Sequence, residues 1–134
     1  METRRKRILV VDDSEEIRSL MAWLLAGEGY VVVEACDGEE ALRRIQAEPF
    51  DVVVTDFQMP GLNGLEVMAH AREQDDRRPV IIVSGLDTDL SRLAVELGAY
   101  AWLTKPLSGP LFLGIVDSAA TAGQREASPV GGTA

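Results

Sequence analysis

Val52-Val53-Val54-Thr55-Asp56 runs directly into Phe57-Gln58-Met59-Pro60-Gly61-Leu62-Asn63-Gly64. Three valines in succession read as a strand buried on both faces, the usual state of a strand inside a parallel sheet. The Met-Pro-Gly and Asn-Gly steps that follow are turn chemistry. Asp56 therefore stands where a central strand leaves its sheet, and in open α/β sheets ligands bind at that carboxyl edge. An aspartate has no packing reason to be there, so a chemical one is needed.

Working outward, the same strand-then-helix pattern repeats. Ile8-Leu9-Val10-Val11 is a strand ending on Asp12-Asp13; Ser14 is a good N-cap, and Glu15 and Glu16 suit the positive end of a helix. Ile17, Leu20, Met21, Leu24 and Leu25 follow at helical spacing, with Gly27 or Gly29 as the stop. Tyr30 to Ala35 is the second strand; Gly38 leads into a helix carrying Ala41, Leu42 and Ile45, which Pro49 ends before Phe50 opens the third strand. Leu65, Met68, Ala69 and Arg72 mark the third helix, and Pro79 opens the strand Val80 to Ser84. A short helix near Leu90 to Leu97 stops at Gly98, and Tyr100 to Thr104 is the fifth strand. Ser108 caps a last helix with Leu111, Phe112, Ile115, Val116 and Ala119 on one face. Strict alternation of five strands and five helices predicts a doubly wound α/β fold, a parallel sheet with helices on both faces. Residues 1–121 form the domain, and residues 122–134 lack periodicity and read as a disordered tail.

A length of 134 residues suits one domain, and the formal net charge of −9 argues against non-specific nucleic-acid binding. Arg4-Arg5-Lys6-Arg7 is the one basic cluster and reads as a solvated lead-in to the first strand, with an electrostatic docking arm as the alternative. No apolar run is long enough for a membrane span, and the lone Cys36 fits a reducing cytoplasm. Trp23 lies off the apolar stripe of the first helix, either flat on neighbouring side chains or anchoring a partner; His70 reads as a surface residue.

The strand exits carry Asp12, Asp13, Asp56, Ser84 and Lys105, and in a parallel sheet all of them meet at one edge. Three close carboxylates repel unless a cation neutralises them. A hard divalent ion with oxygen ligands resolves this, and Mg²⁺ fits a few carboxylates plus waters. With the Lys105 ammonium and the Ser84 hydroxyl, this is a phosphoryl-transfer set in which Asp56 can be the acceptor.

Val10-Val11-Asp12-Asp13, Val54-Thr55-Asp56-x-x-Met59-Pro60-Gly61, Ser84-Gly85 and Leu103-Thr104-Lys105-Pro106 together resemble the receiver domain of bacterial two-component response regulators, over about residues 6 to 120. The resemblance implies a flavodoxin-like strand order 2-1-3-4-5. It implies phosphorylation on Asp56, with Mg²⁺ held by Asp13, Asp56 and the backbone carbonyl of Gln58, and Asp12 acting mostly through water. Lys105 would pair with the phosphoryl oxygens and Ser84 would swing in to hydrogen-bond them. Trp102 falls where the family carries a Tyr or Phe that rotates with that swing, and Lys105–Pro106 is expected to be cis. The implied partners are a sensor histidine kinase or histidine phosphotransfer protein and a downstream protein target, with no direct nucleic-acid or membrane contact. The expectation is a non-enzymatic, cytoplasmic signalling switch.

Four features depart from the common pattern. Trp102 is larger than Tyr or Phe, Gly85 replaces the frequent Ala, the Ser84-to-Lys105 span is one residue short, and the last helix lacks the basic residues of many DNA-binding regulators. Leu86 offers no group to orient a water that attacks the acyl phosphate. The fourth helix, fifth strand and fifth helix are expected to form the signalling surface, with Arg92 its sole basic residue and Leu107 and Leu113 off the buried stripe. A haloacid-dehalogenase-like phosphatase would need Asp-x-Asp-x-Thr on strand one, and a flavin carrier a Ser/Thr-rich phosphate loop where this chain has acid. A pseudo-receiver scaffold is disfavoured by the complete acceptor set. Residues 122–134 are too few for an output domain, so the chain acts alone or is a receiver cut from a longer regulator.

Overall fold

The computed structural model describes residues 4–75, 77–85 and 89–124. Along the chain come β1 (Arg7–Val11), α1 (Glu15–Gly27), β2 (Val31–Ala35), α2 (Gly38–Ala47) and β3 (Val52–Asp56), then α3 (Gly64–Gln74), β4 (Val80–Ser84), α4 (Leu90–Glu96), β5 (Ala101–Thr104) and α5 (Gly109–Gln124). The strands form one sheet in the order β2-β1-β3-β4-β5, with every neighbouring pair parallel. The predicted doubly wound architecture and its flavodoxin-like order are both present.

Period-two alternation splits the core into two layers. Ile8, Val10, Val52, Val54, Ile81 and Val83 face Met21 and Leu25 of α1 and Phe112, Val116 and Ala119 of α5. Leu9, Val11, Val53 and Ile82 face Ala41 and Ile45 of α2, Val67, Met68 and Ala71 of α3, and Ala94 of α4. Strands β3 and β4 are buried along their whole length, which is why their sequences are unbroken β-branched runs ending in a single polar residue.

The caps fix where the helices begin. The Ser14 side chain accepts from Ile17 N at 3.4 Å, and Asp37 Oδ1 accepts from Glu40 N at 2.8 Å. Asn63 and Glu66 form a capping box at α3, so Asn63-Gly64 starts a helix rather than making the turn expected of it. The turn itself falls on Gly61, at φ +78°.

Several expected details are corrected. In α3 the buried face runs through Val67, Met68 and Ala71, while Ala69 points to solvent. In α5 Leu111 is 56% exposed, whereas Leu107 and Leu113, expected off the stripe, pack partly buried against the α1/α5 layer. Helix α5 also passes the expected end of the domain and reaches Gln124. Alanine is the best helix former, and Thr121 Oγ1 bonds back to Asp117 O at 2.9 Å, so nothing there stops the helix. The remainder of the expected tail, 125–134, lies outside the described residues. Tyr30, Tyr100 and Leu97 flank their elements instead of belonging to them.

Nor is the basic cluster simply solvated. Arg4 grips Asp51 through two hydrogen bonds of 3.1 and 3.2 Å, Arg5 Nε donates to Gly29 O at 3.0 Å, and Arg7 Nη2 pairs with Glu48 at 2.6 Å.

Candidate functional site

Five side chains meet at the carboxyl edge because β1, β3, β4 and β5 all end there in register. Asp56 pairs with Val83 and Ser84 with Thr104, so each polar residue sits at the last ladder position of its strand or just beyond it. Backbone bonds extend the ladders past the strand ends: Phe57 N donates to Val83 O at 3.0 Å, and Lys105 N donates to Ser84 O at 2.8 Å. Asp56 and Lys105 are therefore carried on fixed backbone rather than on free loops.

Asp12, Asp13 and Asp56 each bring a carboxylate oxygen within 4.8 Å of the others. Asp12 is fully buried, Asp56 nearly so, and Asp13 is open to solvent. The Lys105 ammonium bridges the two buried members, 3.2 Å from Asp12 Oδ2 and 3.4 Å from Asp56 Oδ1. Burial first, and then the negative charge of Asp12, push the Asp56 carboxyl above its ordinary pKa; Lys105 pulls it back and Asp13 adds a smaller upward push. One ammonium does not balance three carboxylates.

Asp12 Oδ1 accepts from Ser14 N at 2.8 Å, which fixes the carboxylate plane. Asp12 Oδ2 is buried and has no aligned hydrogen bond, despite the nearby ammonium. A buried carboxylate oxygen with no aligned hydrogen bond, within a cluster of three carboxylates and one ammonium, fits a small hard cation with oxygen ligands.

The structure thus brings Asp12, Asp13, Asp56 and Lys105 into one cluster, with buried Ser84 at the end of the adjoining strand. Gln58 stands on the exposed loop two residues past Asp56. Trp102 lies one strand further, opposite Ile82 in β5, partly buried against the α2–α4 layer. Its ring tilts against Phe57, with centroids 5.4 Å apart and planes at 46°. The Lys105–Pro106 peptide is cis, as expected. Leu86 lies outside the described residues.

Three residues that sequence reading passed over help to build the site. Phe57 links Trp102 to the loop that follows Asp56. Gly64, at the first turn of α3, lets that helix approach the end of β3: a Cβ there would lie 2.6 Å from the Asp56 carbonyl oxygen and 3.0 Å from Phe57 Cα. Its backbone N also donates to Phe57 O at 2.8 Å. Arg18 braces the acid pair, with Nη1 donating to Asp12 O at 2.9 Å and Nε to Glu34 at 3.1 Å. The glycine after a helix-capping Asn was a usable signal; Arg18, reaching back from the first turn of α1, left none.

Comparison with known proteins agrees with this geometry. Residues 8–116 match the family described as response regulator receiver domain. The chain is 41% identical over 104 residues to the alkaline phosphatase synthesis transcriptional regulatory protein PhoP of Bacillus subtilis, covering 77% of this chain but 43% of that protein. Among solved structures, a CheY-like receiver domain protein of Methanospirillum hungatei superposes with a TM-score of 0.87 at 28% identity, over 92% of this chain and 99% of that one. The response regulator protein TrrA of Thermotoga maritima, solved in complex with Mg²⁺ and BeF, superposes with a TM-score of 0.78 at 33% identity, over 85% of this chain and 98% of that one. With its strand order, acid cluster and bridging lysine in place, the chain belongs to the response regulator receiver domain family.

Proposed function

We propose that the chain is a cytoplasmic phosphorylation switch in which Asp56 accepts a phosphoryl group from the phosphohistidine of a kinase or phosphotransfer protein. A carboxylate oxygen of Asp56 would bond to phosphorus as the bond to the donor imidazole nitrogen breaks, leaving an acyl phosphate on Asp56, while the departing nitrogen takes a proton from solvent to give neutral imidazole. The observation that carries this reading is the Lys105 ammonium held between Asp12 and Asp56 beside a third carboxylate. Lys105 would transfer its charge from the two carboxylates to the phosphoryl oxygens, and the Ser84 hydroxyl would donate to one of them. Asp13, Asp56 and the Gln58 carbonyl would hold Mg²⁺, with Asp12 acting through water. When bound, the ion neutralises the carboxylates and the charge that develops on the transferred group. The complex of TrrA with Mg²⁺ and BeF supports Mg²⁺ as the ion.

Downstream, Trp102 and Ser84 would form the moving pair, and output would pass to a protein partner through the α4, β5 and α5 face. Exposed Leu93, Val95, Leu97 and Tyr100 supply an apolar surface there. A receiver forming part of a longer regulator is the second reading, favoured by the 43% share of the PhoP length that the chain spans.

Incubation with acetyl phosphate and Mg²⁺, followed by intact mass, tests the proposal. The expected result is one added phosphoryl group on wild type and none on Asp56→Asn. Stoichiometric labelling of the Asn variant would refute Asp56 as the acceptor.

A further inference from the structure

The turn that carries Asp12 and Asp13 closes on a single residue, Arg18. The β1–β2 ladder runs one residue past β1, where Asp12 N donates to Ala35 O at 3.2 Å. Beyond that bond the Arg18 side chain serves the buried Asp12: its Nη1 donates to Asp12 O at 2.9 Å. Two further bonds complete the enclosure. Arg18 N donates to Ser14 O at 2.9 Å, and Ser14 N donates to Asp12 Oδ1 at 2.8 Å. Asp13, the solvent-exposed member of the acid cluster, is the residue enclosed between them.

Arg18 is itself held. Its backbone lies in the first turn of α1, and its Nε donates to Glu34 Oε1 at 3.1 Å, from a β2 position that pairs with Val10 of β1. The Arg18 side chain is 16% exposed, so the guanidinium is confined between helix and sheet. Both donors belong to one rigid plane, which therefore ties β2 to the Asp12 carbonyl. That carbonyl is half of the planar Asp12–Asp13 peptide, and turning it would turn the start of Asp13 with it.

We infer, on the reading of the acid cluster as a Mg²⁺ site, that Arg18 oriented by Glu34 is a positioning residue: it sets Mg²⁺ affinity by fixing the Asp12–Asp13 peptide. Charge and position have opposite signs here. A guanidinium one hydrogen bond from this peptide repels a bound cation, so on charge alone its removal should tighten Mg²⁺ binding. Loss of the brace should weaken it, as loss of the groups behind metal ligands does.

The test is titration of Mg²⁺ into the metal-free full chain at fixed ionic strength, read by amide ¹H–¹⁵N spectroscopy, with unfolding melts of every variant in EDTA. Arg18→Met keeps the apolar stem and removes both donors; its Mg²⁺ affinity should fall about tenfold. Its Asp13 and Ser14 amides should already be displaced before Mg²⁺ is added. Arg18→Lys keeps the charge and a donor, and should recover part of the loss. Glu34→Ala should weaken binding by about two- to fivefold, and should add little on top of Arg18→Met because Glu34 acts through Arg18. Arg7→Met is the matched control, since Arg7 also joins a glutamate to a carbonyl, Glu48 at 2.6 Å and Pro49 O at 2.9 Å, at the opposite end of β1. It should lower the melting temperature and leave Mg²⁺ affinity as in wild type. Unchanged or tighter Mg²⁺ binding in Arg18→Met, or equal weakening in Arg7→Met, would overturn the inference while the Mg²⁺ reading stands. Should Arg18→Met not fold, wild-type affinity in both Arg18→Lys and Glu34→Ala would overturn it as well. Non-saturating shifts in wild type, or an Asp13→Ala variant that binds as wild type does, would overturn the Mg²⁺ reading and this inference together.

Discussion

Replacing Asp56 with Asn should make the metal-free protein more stable, by an amount that depends on pH. At an effective dielectric of about 20, the Lys105 ammonium at 3.4 Å attracts the Asp56 carboxylate by about 5 kcal/mol. Asp12, within 4.8 Å, repels it by at least about 3.5 kcal/mol on the same basis. Asp13 is open to solvent, so screening holds its share to about 1 kcal/mol or less. These charge terms nearly cancel, which leaves the cost of burying the carboxylate as the balance. An amide of the same shape avoids that cost, so a gain of about 1–2 kcal/mol is expected. In a chain of this size that is a rise of about 3–8 °C in Tm.

The sign follows from linkage. Burial and Asp12 raise the folded pKa of Asp56 above its unfolded value. The wild type therefore has this group's full stability below the unfolded carboxylate pKa of about 3.9, and loses it as pH rises through the folded value. Asn undergoes no such loss. The gap between variant and wild type should be near zero at about pH 4 and widest near neutrality, and Mg²⁺ should shrink it by stabilising the wild type. Thermal and urea melts in EDTA across this range give the answer. A variant no more stable than wild type at neutral pH, or a gap independent of pH, would refute the electrostatic reasoning.

Mg²⁺ should raise the Tm of the unphosphorylated chain by mass action, and Asp13→Ala should remove most of that response; an equal response in both would place the ion elsewhere. Gly64→Ala should cost about 2–3 kcal/mol in a denaturant melt, because the new methyl meets the Asp56 carbonyl, a backbone atom that cannot rotate away. In Trp23→Phe the remaining indole is Trp102, so phosphodonor with Mg²⁺ should shift its emission and quencher access; an unchanged spectrum counts against movement at that strand. Phe112→Ala, at a fully buried position in α5, should destabilise by about 3–5 kcal/mol without preventing Asp56 labelling in the folded fraction.

The features written as runs of residue type were legible in the sequence. Valine triplets ending in a single acid gave β3, its full burial and the position of Asp56. The carboxylate cluster followed from topology, since parallel strands deliver their exits to one edge. Features that depend on contacts between distant residues were not legible. The exposed Leu111 and the partly buried Leu113 have the same side chain, and only the face that α5 turns toward the core separates them. Arg78 reads as a surface cation until the end of α3 closes over it, where its Nη1 donates to Ala71 O. Phe57 reads as a loop residue until Trp102 arrives beside it from a strand 45 positions later.

The two-layer core has a mechanical corollary for β5. Trp102 belongs to the layer shared with α4, whereas its neighbour Leu103 belongs to the layer shared with α5. Rotation of the indole is then transmitted to one side of the sheet alone, while sliding of the strand along its axis drags both sides together. β5 thus works like a differential between two helices on opposite faces of the sheet. Methyl resonances of Ala94 and Val116 read the two sides separately. A shift in the first without the second marks a rotating ring, and shifts in both mark a moving strand.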